Sequence, residues 1–348
     1  MKECGLCQRT RIDDNLWCQE KHCPAEEAPL RLRPGDRMGE VEIIQWLATL
    51  PVATLYKARR GEAIVLLKVA HPGYEDKLKR EARFLAANSH PALPQLLPAL
   101  RGMPAQQHPY GKAATHGRIV YFVVFAFVEG QMLREMLDRN SQPWYLTTGW
   151  LIAQLADGLA FLNDGGLLHL CLSPEMVLVR FDAEDIPRPL LTDLGVACAY
   201  EDIPRYWRSP YASPLYAAPE LVRGEGVGAA ADVYGIGGLL FEMLAGHAQV
   251  RGVASTADEL PALATAGEAL ALRTDLTALP ELAARAVALD WRRRPAGLRA
   301  FWQELMTALP PVPQENHGRA FRAEALRMLA IVALVLVLLL VLALLTPG

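Results

Sequence analysis

The chain has 348 residues, a formal net charge of −3 and 52% hydrophobic residues. This length exceeds what one small hydrophobic core holds, so the sequence predicts one large two-lobed domain or two domains. The composition excludes a mainly disordered chain, and the near-neutral charge gives no electrostatic reason to expect a nucleic-acid partner.

The first 23 residues contain four of the six cysteines, spaced as Cys4-x-x-Cys7 and Cys18-x4-Cys23. Two such knuckles supply the four ligands that structural zinc holds in a tetrahedron, and reduced cytosolic thiols suit this use better than disulfides. We therefore expect residues 1–25 to form a small zinc-ribbon-like module, with His22 as an alternative to Cys23. Protein ligands would fill all four positions, so the predicted zinc is structural. Four unconnected cysteines in an unstructured leader are the alternative.

Residues 36–307 carry the pattern of one α+β domain. Its early part contains β-like apolar runs (VEIIQWL, EAIVLLKVA, RIVYFVVFAFV). Its later part has apolar residues at three- and four-residue spacing (WLIAQLADGLAFL, YGIGGLLFEMLAG), which is typical of helices. The sequence thus predicts a β-rich lobe at about 36–127 and a helical lobe at about 128–307. The polar insertion 102–117 is expected to be a solvated loop, with a partner-contact surface as the alternative.

The C-terminal part predicts a membrane anchor. Residues 308–324 form a polar, proline-bearing linker, and every residue from Met328 to Leu345 is apolar. A helix of this length at ~1.5 Å per residue covers about the hydrocarbon thickness of a bilayer, and it lacks the polar face of a buried core helix. We expect a transmembrane helix at 325–345. The positive-inside rule places the N-terminal bulk in the cytoplasm, as in a single-pass tail-anchored protein. The arginines that decide this orientation are Arg319, Arg322 and Arg327.

A series of short motifs follows one order through the middle domain. They are Val65-Leu66-Leu67-Lys68, Glu81 in a helical stretch, His90-Pro91, the strand YFVVFAFVEG, the segment His169 to Leu178, Asp193-Leu194-Gly195, Ala218-Pro219-Glu220, Asp232-Val233-Tyr234-Gly235 and Arg294-Pro295. Each is weak alone, but in this order they resemble the eukaryotic-type Ser/Thr protein kinase family. The resemblance implies a bilobal protein-kinase-like fold with a β-rich N-lobe and an α-helical C-lobe.

The resemblance also implies roles for retained residues. Lys68 matches the lysine that holds the α- and β-phosphates of ATP and pairs with a helix glutamate, here Glu81; Asp193 matches the magnesium-binding aspartate. These three are the cofactor-binding candidates. As an alternative, Lys68 and Glu81 survive only as an ion pair that fixes the helix. The family's supports are also matched, by the pair Glu220–Arg294 and by Asp232, whose counterpart holds the catalytic-loop backbone.

Three reactive positions depart from the family pattern. Cys171 stands where the family has the aspartate that orients the substrate hydroxyl. Ser173 replaces the lysine that neutralises the transferred phosphoryl group, and Met176 replaces the asparagine that holds the second magnesium. Loss of one such group can cost on the order of 3 kcal/mol of transition-state stabilisation, so we predict no catalytic residue. Glu175 as a substitute base is the alternative. Cys171 has no base nearby in sequence and is expected to be a small packed residue.

The phosphate-binding turn departs as well. Alignment on Leu55 to Ala58 places the three glycine positions at Ala48, Leu50 and Ala53, and Pro51 has no N–H to donate to a phosphate. The bulk of Leu66 and Phe125 is expected to narrow the adenine pocket. Whether ATP and magnesium bind therefore stays open.

Leu170 occupies the position of a family arginine that pairs with phosphate on the activation segment, so we expect no switching through that segment. The candidate phosphorylation sites there are Tyr206, Ser209, Tyr211 and Ser213.

Together these features predict a membrane-anchored, catalytically impaired pseudokinase that regulates or scaffolds a membrane-associated protein partner. One alternative is a weak or unconventional ATP-dependent Ser/Thr protein kinase that uses Lys68, Glu81 and Asp193. Another is an adaptor in which residues 1–25 recognise the partner and the kinase-like domain is a spacer.

Overall fold

The computed structural model describes residues 2–3, 10–11, 31–115, 118–141, 143, 145–183, 186–203, 211–213, 215–224, 226–248 and 278–309. All of its described elements belong to the unit Met1–Leu309. The ligand candidates Cys4, Cys7, Cys18 and Cys23 and the segment 325–345 lie outside the described residues, so zinc and the anchor stay predictions. Within the described ranges, no helix is long and apolar enough to cross a membrane, and no group of three or more side chains could hold a metal ion.

The N-lobe is a seven-stranded antiparallel sheet. Its order is β3-β4-β5-β6-β9, and β7 and β8 both pair with the other edge of β9. A separate two-stranded ladder joins β1 and β2 near the N-terminus. The strands are β1 (Lys2–Glu3), β2 (Thr10–Arg11), β3 (Arg37–Met38), β4 (Val41–Thr49), β5 (Ala53–Arg60), β6 (Ala63–Ala70), β7 (Leu96–Leu97), β8 (Gly111–Thr115) and β9 (Arg118–Ala126).

Alternation along the strands gives the sheet two apolar faces. On β6, Val65, Leu67 and Val69 belong to a core on the outer face, together with Tyr56 and Val124 of the neighbouring strands. Lys68 therefore points to the opposite face, because successive side chains of a strand alternate. That face carries α1 (Glu75–Ala87), whose buried residues recur at three- and four-residue spacing: Leu78, Glu81, Ala82 and Leu85.

The polar insertion is in part a strand, and the prediction of a solvated loop was wrong for Gly111–Thr115. This segment pairs with β9 from Gly111↔Phe122 to Thr115↔Arg118. A Cβ at position 111 would lie 2.3 Å from the Phe122 ring, so only glycine lets the backbone approach that ring. The pairing places the segment at the edge of the sheet.

The C-lobe is built around a buried central helix. Every residue of α5 (Ala229–Ala245) from Ala231 to Leu244 is buried, and a Cβ at Gly237 would lie 2.5 Å from that of Ala286 at the end of α6 (Ala278–Ala286). This close approach explains a glycine inside the helix. The other elements are α2 (Leu133–Arg139), α3 (Tyr145–Asp164), α4 (Pro219–Arg223), α6 (Ala278–Ala286), α7 (Leu298–Ala308), a sheet of β10 (Gln131–Met132), β12 (Val177–Phe181) and β13 (Pro187–Leu191), and the pair β11 (Leu167–Leu168) and β14 (Cys198–Ala199).

Candidate functional site

A buried charge cluster joins the two lobes. Lys68 Nζ donates to Glu81 Oε2 and to Asp193 Oδ1, each at 2.6 Å. Strand β6 positions the lysine, α1 the glutamate and the segment after β13 the aspartate. None of the three is more than 2% exposed. The structure thus brings the three predicted cofactor-binding residues together.

Burial and charge act against each other in this cluster. Burial alone would lower the pKa of Lys68, but the carboxylates of Asp193 and Glu81 outweigh it and raise that pKa, so the ammonium stays charged. Burial raises the pKa of Glu81, and Lys68 offsets only part of this rise. The Oδ2 atom of Asp193 is buried and has no hydrogen-bond partner among the described residues. The cluster thus combines a charged lysine with a buried carboxylate oxygen that no described residue hydrogen-bonds.

The turn between β4 and β5 folds onto this cluster. Leu50 N donates to the Ala53 carbonyl at 2.8 Å, and His71 N donates to the Val52 carbonyl at 3.0 Å. Val52 is 1% exposed, and a Cβ at Gly195 would lie 2.9 Å from its Cγ2 and 3.1 Å from Asp193 Oδ1. The Val52 side chain, on the turn that matches the family's phosphate-binding loop, thus lies close to the buried Asp193 carboxylate.

Two of the altered catalytic-loop positions belong to the same apolar cluster as Val52. Cys171 and Met176 are buried in an apolar cluster that also contains Val52, Ala53 and Val196. Ser173 is 3% exposed and precedes a short 3₁₀ turn at Pro174–Met176. Two of the three altered positions, Cys171 and Met176, are thus part of an apolar cluster.

The backbone of the loop is nevertheless held in its strained form. Leu170 has φ +60°, a conformation that costs a non-glycine residue about 1–3 kcal/mol. Asp232 compensates, because Oδ1 accepts from Leu170 N at 2.6 Å and Oδ2 from His169 N at 2.9 Å. Burial lowers the pKa of His169, which favours the neutral ring. The predicted support by Asp232 is confirmed.

The predicted C-lobe ion pair is also confirmed. Arg294 Nη1 and Nη2 donate to the two oxygens of Glu220 at 2.6 and 2.8 Å, and both residues are buried. Further donation from Arg294 goes to the carbonyls of Ala288 and Ala230, each at 2.8 Å. This pair fastens the α4 region to the start of α5.

Glu175, the alternative base, is already engaged. Arg134 Nε donates to it at 2.9 Å, and the same guanidinium binds Glu242 at 2.8 Å and the hydroxyl of Tyr216. Burial alone would raise the pKa of Glu175, but hydrogen bonds from Arg134 and Ser173 outweigh it and lower that pKa. A carboxylate with a lowered pKa is a weaker base. Sequence reasoning missed this cluster, because its members lie far apart in the chain.

The described parts of the activation segment contact α1 and the residue that precedes it. The rings of Tyr211 and Tyr74 meet edge to face at 6.3 Å, and Lys77 Nζ lies 5.2 Å from the centre of the Tyr211 ring. Arg80 donates to the Ala197 carbonyl and lies 3.9 Å from Asp202. These contacts hold the helix that carries Glu81.

A cavity of about 540 Å³ lies beside residues 127–130, which connect the lobes. Its walls are mainly apolar, with Leu55 and Leu66 contributed by the N-lobe and Leu178 and Leu190 by the C-lobe. Leu66, expected to crowd the adenine site, lines the cavity without closing it. The charged side chains of the lining are Lys57, Glu129, Glu135 and Glu175.

ATP and magnesium, which the kinase resemblance implies, fit one end of the cleft better than the other. The cavity has room for a base, and the buried Oδ2 of Asp193 is an oxygen that suits a cation. At the turn that matches the family's phosphate-binding loop, Val52 is buried beside Gly195, Pro51 offers no N–H, and Met176 offers no amide oxygen. The described residues therefore fit the base of the nucleotide and not its phosphate chain.

Comparisons with known proteins agree with this architecture. Serine/threonine-protein kinase pkn2 of Myxococcus xanthus is 31% identical over 193 residues, which are 53% of this chain and 21% of that protein. PkaB of Streptomyces coelicolor is 37% identical over 130 residues, 36% of this chain and 31% of its own. PknB of Mycobacterium tuberculosis is 24% identical over 225 residues, 63% of this chain and 34% of its own. The matches thus span a fifth to a third of these relatives.

The chain also matches a model of a whole protein family. A family model described as the protein kinase domain matches residues 52–280, from the phosphate-binding turn to the start of α6. Kinase domains use ATP and magnesium. The order of the lobes, the Lys68–Glu81 pair and the supports at Asp232 and Arg294 agree with that match. The chain belongs to the protein kinase domain family.

Proposed function

We propose that this protein is a membrane-anchored pseudokinase that regulates or scaffolds a partner protein. The observation that carries the proposal is the apolar packing of the phosphate end of the cleft, where Val52, Cys171 and Met176 share one hydrophobic cluster. Phosphoryl transfer depends on positioned charges around the transferred group. Cys171, Ser173 and Met176 stand where the family has an aspartate, a lysine and an asparagine, and none of the three carries a charge or an amide group.

The intact supports favour a folded binding module over a decayed enzyme. Asp232 and the Glu220–Arg294 pair hold the C-lobe by short, buried hydrogen bonds. Removal of one member of a buried pair typically costs ~3–5 kcal/mol, so these residues are needed for folding whether or not the protein is an enzyme. A stably folded domain without catalytic groups is suited to binding a partner protein.

The anchor and the zinc module belong to the same proposal. An apolar helix at 325–345 would tether the kinase domain to a membrane with its bulk in the cytoplasm. Confinement there raises the effective concentration toward other membrane proteins, so a weak binding surface suffices. We therefore place the partner at the membrane, and we assign a structural zinc to Cys4, Cys7, Cys18 and Cys23.

The decisive experiment measures phosphoryl transfer by the full-length protein in phospholipid nanodiscs. Radiolabelled γ-phosphate is offered with magnesium, and transfer to the protein itself and to casein is compared between wild type and Asp193→Ala. We expect equal background from both, because the base and the phosphate-binding groups are missing. Transfer by wild type that Asp193→Ala abolishes would overturn the pseudokinase proposal.

The second candidate is a weak Ser/Thr protein kinase, and one observation favours it. Lys68, Glu81 and Asp193 are assembled at 2.6 Å spacing, as an active cleft requires. Such an enzyme would have to move Val52 out of the cleft before ATP could reach Asp193. The transfer assay decides between the two, with Val52→Gly as a variant that should increase transfer if this candidate is right.

A deletion tests which part of the protein recognises the partner. Proximity labelling in membranes compares the full chain with a chain that lacks residues 1–25. Partners retained by the shortened chain are recognised by the kinase domain, as we propose. Their loss would assign recognition to the cysteine module, provided that thermal unfolding shows the kinase domain still folded.

A further inference from the structure

We propose that the cleft discriminates against the family's own cofactor: the cavity beside residues 127–130 takes a planar, phosphate-free nitrogen heterocycle of nucleoside size and excludes a nucleoside triphosphate. This inference rests on the proposed function and deepens it, because it names the class of small molecule that would stabilise or regulate the pseudokinase.

The cavity has the size and walls of a small-molecule site. Its volume is about 540 Å³, within the range of about 300–1,000 Å³ that is typical of ligand pockets. Leu55 and Leu66 approach from the sheet, and Leu178 and Leu190 from the C-lobe. Apolar residues on two opposite sides form a slot that suits a flat ring.

The polar groups for orientation lie along one edge. Phe127, Val128, Glu129 and Gly130 line the cavity and follow the end of β9, where the backbone is neither strand nor helix. Backbone N–H and C=O groups in such a segment can pair with the nitrogen edge of a heterocycle. Few polar groups on an otherwise apolar wall are what fixes a ligand's orientation.

The other end of the cleft is closed by packed side chains. Val52 is 1% exposed and packs against Gly195, next to Asp193 Oδ1. Two hydrogen bonds fix the turn that carries it: His71 N donates to the Val52 carbonyl, and His71 Nε2 lies 3.0 Å from Thr54 Oγ1. A phosphate chain would have to displace a buried valine and break this anchoring.

Charge at the cavity acts in the same direction. Three carboxylates line it, at Glu129, Glu135 and Glu175, against the single ammonium of Lys57. Arg134 pairs with Glu175 at 2.9 Å, and Lys57 lies over the Phe127 ring at 4.7 Å. The remaining excess of negative charge repels a triphosphate and tolerates a neutral or cationic heterocycle.

The test compares adenosine with ATP on the full-length protein in nanodiscs. Thermal unfolding and isothermal titration are measured with adenosine, with ATP, and with ATP and magnesium. We expect adenosine to raise the Tm by at least ~3 °C at saturation, since a ligand selective for the folded state stabilises it. We expect ATP to bind at least ~10-fold more weakly, with no gain from magnesium.

Three variants locate the effect. Val52→Ala should improve ATP binding at least ~5-fold and leave adenosine binding within ~2-fold, because it opens only the phosphate end. Val287→Ala is the matched control: it lies in the same apolar cluster but packs against α5, so it should not change the ratio. Ala48→Phe fills the cavity and should abolish adenosine binding.

The outcomes separate this inference from the proposed function. Tighter binding of ATP than of adenosine by wild type, absence of adenosine binding, or an unchanged ratio in Val52→Ala would each overturn the inference. Tighter binding of ATP than of adenosine without phosphoryl transfer would overturn the inference and leave the pseudokinase proposal standing. Transfer of γ-phosphate would overturn the pseudokinase proposal, whatever adenosine does.

Discussion

Two buried clusters of this protein each pair a cationic side chain with carboxylates, but they differ in whether every polar atom has a hydrogen-bond partner. In the C-lobe, Arg294 donates hydrogen bonds to both carboxylate oxygens of Glu220, at 2.6 and 2.8 Å, and to two backbone carbonyls. In the cleft, Lys68 meets Glu81 and Asp193 at 2.6 Å, but Asp193 Oδ2 has no hydrogen-bond partner among the described residues. The charged groups of the C-lobe cluster thus find their hydrogen-bond partners among the described residues, whereas one oxygen of the cleft cluster does not.

The difference shows why retained charges are weak proof of catalysis. A buried ion pair resists the loss of one member, because the remaining charge is left uncompensated at a cost of ~3–5 kcal/mol. Cys171, Ser173 and Met176 stand at positions where no such penalty protects an ionic residue. The stability that Lys68, Glu81 and Asp193 give one another therefore explains their presence whether or not the protein catalyses a reaction.

Lys68→Met is the variant with the largest expected effect, and it tests whether the cleft cluster stabilises the fold as the C-lobe cluster does. We expect a loss of ~3–5 kcal/mol in the free energy of unfolding near pH 7.5, because two buried carboxylates lose their shared cation. The loss should shrink as the pH is lowered, since protonation of a stranded carboxyl removes its charge. Urea unfolding of the full-length protein, followed by circular dichroism, measures both effects.

The matched control for this variant is Lys79→Met. Lys79 lies in α1 and forms its ion pair with Asp76, whose side chain is 96% exposed. It should change stability little. Equal stability of the Lys68 and Lys79 variants would mean that the cleft cluster is not structural, and the comparison with the C-lobe would fail.

Arg294→Leu sharpens the comparison from the other side. Leucine leaves Glu220 buried without a cation and strips two backbone carbonyls of their donor, so we expect a loss of ~3–4 kcal/mol. Arg292→Leu in the same turn is the control, with a side chain 74% exposed and an expected change within ~0.5 kcal/mol. A small loss in the Arg294 variant would contradict the assignment of this pair to folding.

The sequence could predict the lobes and the retained residues, because those follow from motif order. It could not predict the position of Val52. The sequence of the turn shows that Pro51 lacks an N–H donor, but it does not show where the Val52 side chain packs. The strand Gly111–Thr115 depends on pairing with β9, and its own composition resembles a loop. The contacts of Arg134 join residues 41 to 108 positions apart, so no local spacing signals them.

Acid should loosen the turn that closes the cleft. Burial lowers the pKa of His71 to about 4, and unfolding returns it to about 6.5, so the unfolded chain takes up a proton between these values. The His71 contribution to stability is therefore full above pH 6.5 and falls by ~3 kcal/mol by pH 4. His71→Gln should flatten the decline of Tm over that window. His108→Gln is the control, and an equal decline in wild type and His71→Gln would exclude this role.

The smallest effect is expected at the activation segment. Ser213→Glu should leave stability within ~0.5 kcal/mol and partner affinity within ~2-fold of wild type. The reason is that Leu170, 4% exposed, stands where an arginine would bind the new charge, and that Tyr211 already packs on Tyr74. Arg80→Met provides the contrast, because it removes the bond to the Ala197 carbonyl and should loosen α1 measurably in hydrogen exchange. A Ser213→Glu variant that alters affinity more than Arg80→Met would mean that charge on this segment still controls the domain.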